Sequence, residues 1–163
     1  MSDPLMDIPE PARAEVITLL QVLLPAAKQL FETNRKVLPF GAVLQADGKP
    51  QMQLTGLLED EDQSPAQSRD VLRLGMRRRA ADGSVRAAGI AYDTNTLDPE
   101  ADVAVDAVCV SVEHVDGHSL DAFIPFKKGW FGYSYKPSFL LDAPLRIFGA
   151  GEALPPSSSG DPE

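Results

Sequence analysis

The 163-residue sequence predicts an α+β fold, an antiparallel sheet of about five strands with two main helices packed on it. Three observations carry this reading. Two stretches place apolar residues at helical spacing, and five place them at the two-residue spacing of strands. Two of the strand pairs are joined by Asp-Gly turns, and a single choice of loop length brings their apolar residues onto one side.

Residues 11–35 read as the first helix. Val16, Leu19, Leu20, Leu23, Ala27, Leu30 and Phe31 make one apolar stripe. Pro11 suits a first helical turn. Pro25 removes an internal hydrogen bond, but the stripe runs through it in phase, so one kinked helix is expected rather than two.

Residues 39–45 and 50–56 read as a hairpin. A three-residue loop of Ala46, Asp47 and Gly48, with Gly48 left-handed, sets Gln45 opposite Lys49 and Ala42 opposite Met52. Phe40, Ala42, Leu44, Met52 and Leu54 then share one side, and Val43, Gln45, Gln51 and Gln53 the other. A two-residue loop would mix the two sets.

Residues 57–64 form an acidic loop. Ser64, Pro65 and Gln67 have the pattern of a helix start: a cap, a proline in the first turn and a capping-box partner. The second helix should end near Ala81. Val71, Leu72 and Met76 are expected toward the core, with Leu74 flanking and Arg77, Arg78 and Arg79 on the wet side.

Residues 84–94 read as strand. Ala87, Gly89 and Ala91 share one side, where small residues would admit a closely packed helix. Residues 96–102 read as a loop. Residues 104–114 and 118–126 form the second hairpin, closed by Val115, Asp116 and a left-handed Gly117. Val108, Val110 and Val112 then face Ile124, Ala122 and Leu120 on the apolar side. The domain spans residues 1–149, with its first eight residues loose. Residues 150–163, rich in Pro, Ser and Gly, are expected to be a disordered tail.

Composition narrows the function. The net charge of −9 disfavours nucleic acid as a partner. No apolar run long enough for a bilayer and no leader pattern are read, so no membrane role is expected. A lone cysteine, Cys109, excludes a disulfide scaffold and suits a cytoplasmic setting; its place beside Ala107 and Ser111 reads as a small packed residue.

Two places could carry chemistry. "EHVDGHS" holds the only histidines, His114 and His118. The hairpin register makes them directly opposed neighbours at the outer end of the apolar side, so a two-histidine metal site is geometrically allowed. Zinc wants three or four protein ligands, however. Asp116 falls in the turn and Glu113 on the other side, so capping of the core is favoured over metal. The second place is "GWFGYSYKPSF", where Trp130, Phe131, Tyr133 and Tyr135 lie between flexible glycines. Such density can line an interface or a cleft, or close the end of the core. No nucleophile elbow, Walker loop or dinucleotide fingerprint is present.

The stretches "LPFGAVLQADGKPQ", "RAAGIAYD" and "DAVCVSVEHVDGHS…FIPF" resemble a family of small bacterial proteins of unknown function, over about residues 38–126. That resemblance implies an interaction or immunity role and transfers no catalytic residue. The order of elements resembles profilin-like and roadblock/longin-type domains, which implies the sheet order 2-1-5-4-3. The leading expectation is a non-enzymatic protein-interaction module without a cofactor. Its partner would be another protein or a second copy of the chain. The alternatives are a small-molecule or sensory domain with a pocket between the first helix and the sheet, and an enzyme or metal protein built on His114 and His118.

Overall fold

The computed structural model describes residues 3–33, 39–54, 65–97, 103–130 and 132–149. Two helices, α1 (Ala12–Thr33) and α2 (Pro65–Ala81), combine with seven strands: β1 (Phe40–Gln45), β2 (Pro50–Leu54), β3 (Val85–Leu97), β4 (Ala104–His114), β5 (His118–Gly129), β6 (Gly132–Tyr135) and β7 (Phe139–Asp142). All described pairings are antiparallel, and the fold is α+β.

Both hairpin registers are as the hydrophobic pattern requires. Ala42 pairs with Met52, Val110 with Ala122, and His114 with His118. Gly48 and Gly117 close the loops at φ of 87° and 98°, left-handed values that cost glycine nothing.

The sheet order is β2-β1-β3-β4-β5-β6, with β7 also on β5. This corrects the expected 2-1-5-4-3: β3, not β5, lies beside β1. The free edge of β5 is occupied by β6 and β7, two strands from the aromatic segment that the sequence reading left outside the sheet. They behave as halves of one edge strand, offset by one residue in their registers on β5. The break falls at Lys136–Ser138. There Pro137 has no N–H to donate, and Pro125 across from it has none either. The Lys136 N–H still donates to the Pro125 carbonyl at 2.9 Å. The loop read at 96–102 is shorter than expected, because the β3–β4 ladder continues to Leu97 and Ala104.

The helices cover opposite faces of the sheet. Beneath α1 lie Phe40, Ala42, Leu44, Ala87, Ala91, Val108, Val110, Val112, Leu120, Ala122 and Ile124, packed against Val16, Leu19, Leu20, Leu23, Ala27 and Phe31. The predicted small-residue side of β3 is where α1 comes closest. A Cβ on Gly89 would stand 2.6 Å from Leu23 Cδ1. Beneath α2, Val43, Val85, Ala88 and Ile90 meet Leu72, Met76, Ile147 and Phe148.

One helix face was misread. Val71 is 52% exposed. The buried stripe is Ser68, Leu72 and Met76, at four-residue spacing, because α2 rests on β1 and β3 along a narrow line. Residues 3–8 also differ from the loose segment expected: they form turns that bury Ile8 against α1. The α1 segment 12–32, with mean hydropathy 1.3, has the length and apolarity of a membrane span. The sequence reading had excluded such a run, but the stripe of α1 is occupied by the sheet. The Ser64 cap, the acidic loop and the tail at 150–163 lie outside the described residues.

Candidate functional site

The end of the sheet near "EHVDGHS" is built by a bulge. Leu44 pairs with Ala87 and Gln45 with Val85, so Arg86 is an extra residue on β3. The bulge turns Val85 toward α2 and lets Arg86 reach α1. Arg86 Nε and Nη2 donate to the Glu15 carboxylate at 2.7 and 3.1 Å. His114, 1% exposed, reaches the same carboxylate through Nε2 at 2.6 Å. Its Nδ1 accepts the Asp116 N–H at 3.0 Å, so the ring proton sits on Nε2 and is shared with Glu15. Hydrogen bonding to Arg86, reinforced by that to His114, holds the Glu15 carboxyl below its ordinary range. Both nitrogens of His114 are thus engaged in joining the turn to α1. The structure brings His118 opposite His114 but adds no third ligand: among the described residues, no three His, Cys, Asp or Glu side chains gather as a metal site.

The aromatic segment separates into a root and a tip. Gly129 pairs with Gly132, which leaves Trp130 and Phe131 as a two-residue loop; Gly132 takes a φ of 119°. Phe131 lies outside the described residues. Trp130 is 99% exposed at the tip. Tyr133 and Tyr135, two residues apart on one side, pack against Phe126 as tilted rings with centroids at 5.4 and 6.4 Å. Phe126 and Tyr135 pack against the α1 core. The Tyr135 hydroxyl donates to Glu32, and Lys28 Nζ stands 5.0 Å from the Tyr135 ring. Burial and the Glu32 carboxylate push the Tyr135 hydroxyl upward, which keeps it a donor. Phe139 joins the other face, stacked on Phe123 at 5.3 Å. The bunched aromatics therefore do different jobs: Tyr135 roots the hairpin on α1 and Trp130 meets solvent. Residues 122–141 contain three lysines and no carboxylate in a chain of net charge −9.

The face under α2 holds a third arrangement that the sequence reading missed. Glu113, 2% exposed, accepts the N–H groups of Arg146, Ile147 and Phe148 at 2.9, 2.8 and 3.1 Å. One buried carboxylate so fixes the chain after β7 across the sheet. This places Arg146 beside α2, where Arg69, Arg73 and Arg77 follow one another at single-turn spacing. Arg146 Nη1 lies 3.2 Å from Ser111 Oγ and 3.6 Å from Asp121 Oδ1. Arg77 Nε donates to the Arg146 carbonyl at 2.6 Å. The Arg69 guanidinium lies 4.6 Å from the Tyr92 ring centroid. The sequence signal for this grouping is arginine at every fourth residue of α2, Arg69, Arg73 and Arg77. Cys109, paired with Tyr92 across the β3–β4 ladder, is fully buried, and that burial pushes its thiol up to about 12.

Two surface concavities lie at the margins. One, of about 270 Å³, is lined by Arg77, Ala80, Val115 and Phe148, and another, of about 410 Å³, by Asn95, Val105, Phe126 and Lys127. Neither lies between α1 and the sheet. The chain matches no family model, no curated protein and no solved structure.

Proposed function

We propose that the protein is a non-enzymatic interaction module that docks through its β5–β6 hairpin, with Trp130 as the anchor and a second copy of the chain as the occupant. The single observation that carries this is an indole 99% exposed at the tip of a hairpin whose base is held on α1. A large apolar ring on a rooted support has little ordering to lose on docking, and tryptophan is enriched at the energetic centres of interfaces. The lysine-bearing, carboxylate-free hairpin suits the acidic remainder of another copy. Two of the groups that could do chemistry are otherwise engaged: His114 is bonded through both nitrogens, and Cys109 is a buried thiol. That free thiol also supports a cytoplasmic setting.

The test is association measured by sedimentation across a concentration series, with the emission of Trp130, the sole tryptophan, as a second readout. The parent should self-associate with a blue shift. Trp130→Ala should weaken association by more than about tenfold, since a central aromatic is worth about 2 kcal/mol or more, and should melt at the parent temperature. A parent that stays monomeric with unshifted emission defeats the second-copy reading. A Trp130→Ala variant that melts much lower assigns the ring to the fold.

A further inference from the structure

The arginines on the α2 face have too few carboxylates. Arg69 and Arg73 stand one turn apart on α2, and Arg146 approaches from the strand side, held by Ser111 and loosely by Asp121. Among the described residues, no carboxylate forms an ion pair with Arg69 or Arg73. Arg69 Nε is buried without a hydrogen-bond partner, as is Ser68 Oγ beside it in the chain. The Asp121 side chain is 12% exposed, and its buried Oδ1 also lacks a hydrogen bond. Three guanidinium groups therefore gather with Asp121 on the sheet side and the solvent-exposed Asp70 on the helix side, in a protein whose overall charge is strongly negative. Burial first, then the charges of Arg146 and Arg69, lower the affinity of Arg73 for its proton. Half-buried cations in this state are costly unless something neutralises them.

We infer that Arg69, Arg73 and Arg146 form a binding site for a phosphate dianion, free or as the monoester of a small organic molecule. The three arginines outnumber Asp121 and the exposed Asp70 together, so the group carries a positive surplus that an anion would neutralise. Guanidinium forks meet tetrahedral oxyanions with paired hydrogen bonds. Tyr92, under Arg69, supplies a flat apolar surface next to the anion, on which the organic part of a monoester can rest. The site is on the face opposite α1, and the proposal does not depend on docking by the hairpin.

The experiment titrates the full chain with inorganic phosphate and separately with glycerol 2-phosphate, at ionic strength held constant with sodium chloride. Calorimetry gives the affinity and a thermal melt gives the stabilisation. The parent should show saturable binding and a rising melting temperature. Arg73→Gln should bind at least tenfold more weakly, the loss of one charge-assisted contact. Without phosphate it should melt at or above the parent temperature, because a repelled cation is gone. Arg69→Gln gives an independent reading should Arg73→Gln fail to fold. Tighter binding of the monoester assigns the site to an organic phosphate, and equal binding assigns it to the phosphate group alone; both support the inference. The inference fails if chloride at equal ionic strength gives the same rise, if neither compound binds, or if both variants bind as the parent does. It also fails if both variants melt lower by the same amount with and without phosphate, since the arginines would then be structural only.

Discussion

The two faces of the sheet bury the same strands with different chemistry. The face under α1 is apolar from β1 to β5, and each inward Val, Leu, Ile or Phe side chain adds about 1.5–3 kcal/mol of burial. Polar contacts with α1 stand at its margins, at Glu15 and Glu32. The face under α2 has its buried apolar cluster over β1 and β3, with the Phe123–Phe139 stack apart from it at the β5 edge. Across β4 and β5 it presents Cys109, Ser111, Glu113 and Asp121, covered by arginines and by a stretch of chain without regular structure. One face specifies the fold. The other keeps charge close to the core, which a protein retains at a cost in stability.

The sharpest way to break this comparison is to charge the α1 face. Val110→Asp sets an unpaired carboxylate at the centre of β4, fully buried under α1. A loss of more than about 4 kcal/mol is expected, enough to unfold many domains of this size. A cooperative melt within a few degrees of the parent would contradict the placement of Val110.

On the other face, the largest effect is expected at a carboxylate. Glu113→Ala leaves three N–H groups without an acceptor and frees residues 146–148, so about 3 kcal/mol should be lost. Glu113→Gln keeps an acceptor oxygen and should lose about half of that. Hydrogen exchange at Ile147 and Phe148 checks the mechanism: protection should vanish in the alanine variant while that of Val110 persists. Equal loss at both would mean that Glu113 acts globally rather than as a local clamp.

These two residues also show what the sequence could and could not say. The alternation of residues 104–114 with 118–126, and one Asp-Gly turn, were enough to put Val110 on the α1 side and Glu113 on the other. Period and turn chemistry are local, and they were legible. What Glu113 binds was not, because its partners are backbone groups thirty-three to thirty-five residues away. The sheet order failed for the same reason. No local pattern states which strand takes the second edge of β1, and the aromatic segment looked like a surface rather than strands. Val71 was misplaced because three apolar positions on a helix allow more than one stripe, and a polar Ser68 belonged to the real one. Among the site candidates, the exposed position of Trp130 suits an interface and Tyr135 proved a root. The arginine group needed Arg146, which only tertiary structure brings to α2.

Glycines compare how closely each helix approaches. A Cβ on Gly41 points toward α2 and would meet Gly89 O at 2.4 Å and Met76 Cε at 2.7 Å. A Cβ on Gly89 points toward α1 and meets the flexible end of Leu23 at 2.6 Å, with its next neighbours at 3.2 Å. A backbone oxygen cannot rotate away, whereas a leucine methyl can. Gly41→Ala should therefore cost about 3 kcal/mol and Gly89→Ala about 1 kcal/mol. Urea midpoints of the two variants decide it, and the reverse order would show that β1 and β3 yield more easily than Leu23.

The smallest effect belongs to the margin of the α1 face, where Glu15 joins the helix to Arg86 and His114. The Glu15 carboxyl has a folded affinity for protons depressed below its ordinary value of 4.5, chiefly by the Arg86 hydrogen bonds. The unfolded chain then binds the proton more readily than the folded one. The pairing therefore stabilises the protein above the unfolded value, and that contribution is lost as the pH falls through the depressed folded value. At neutral pH, Glu15→Gln should cost about 1 kcal/mol, the scale of a partly exposed pair with one buried partner. Below both values the parent has a protonated, uncharged carboxyl, and its midpoint should approach that of the variant. Urea midpoints followed from neutral pH into the acid range measure the gap directly. A gap that persists unchanged in acid would assign the role of Glu15 to shape rather than charge. The polar seam at that end of α1 would then be holding the helix by packing, as the rest of the face does.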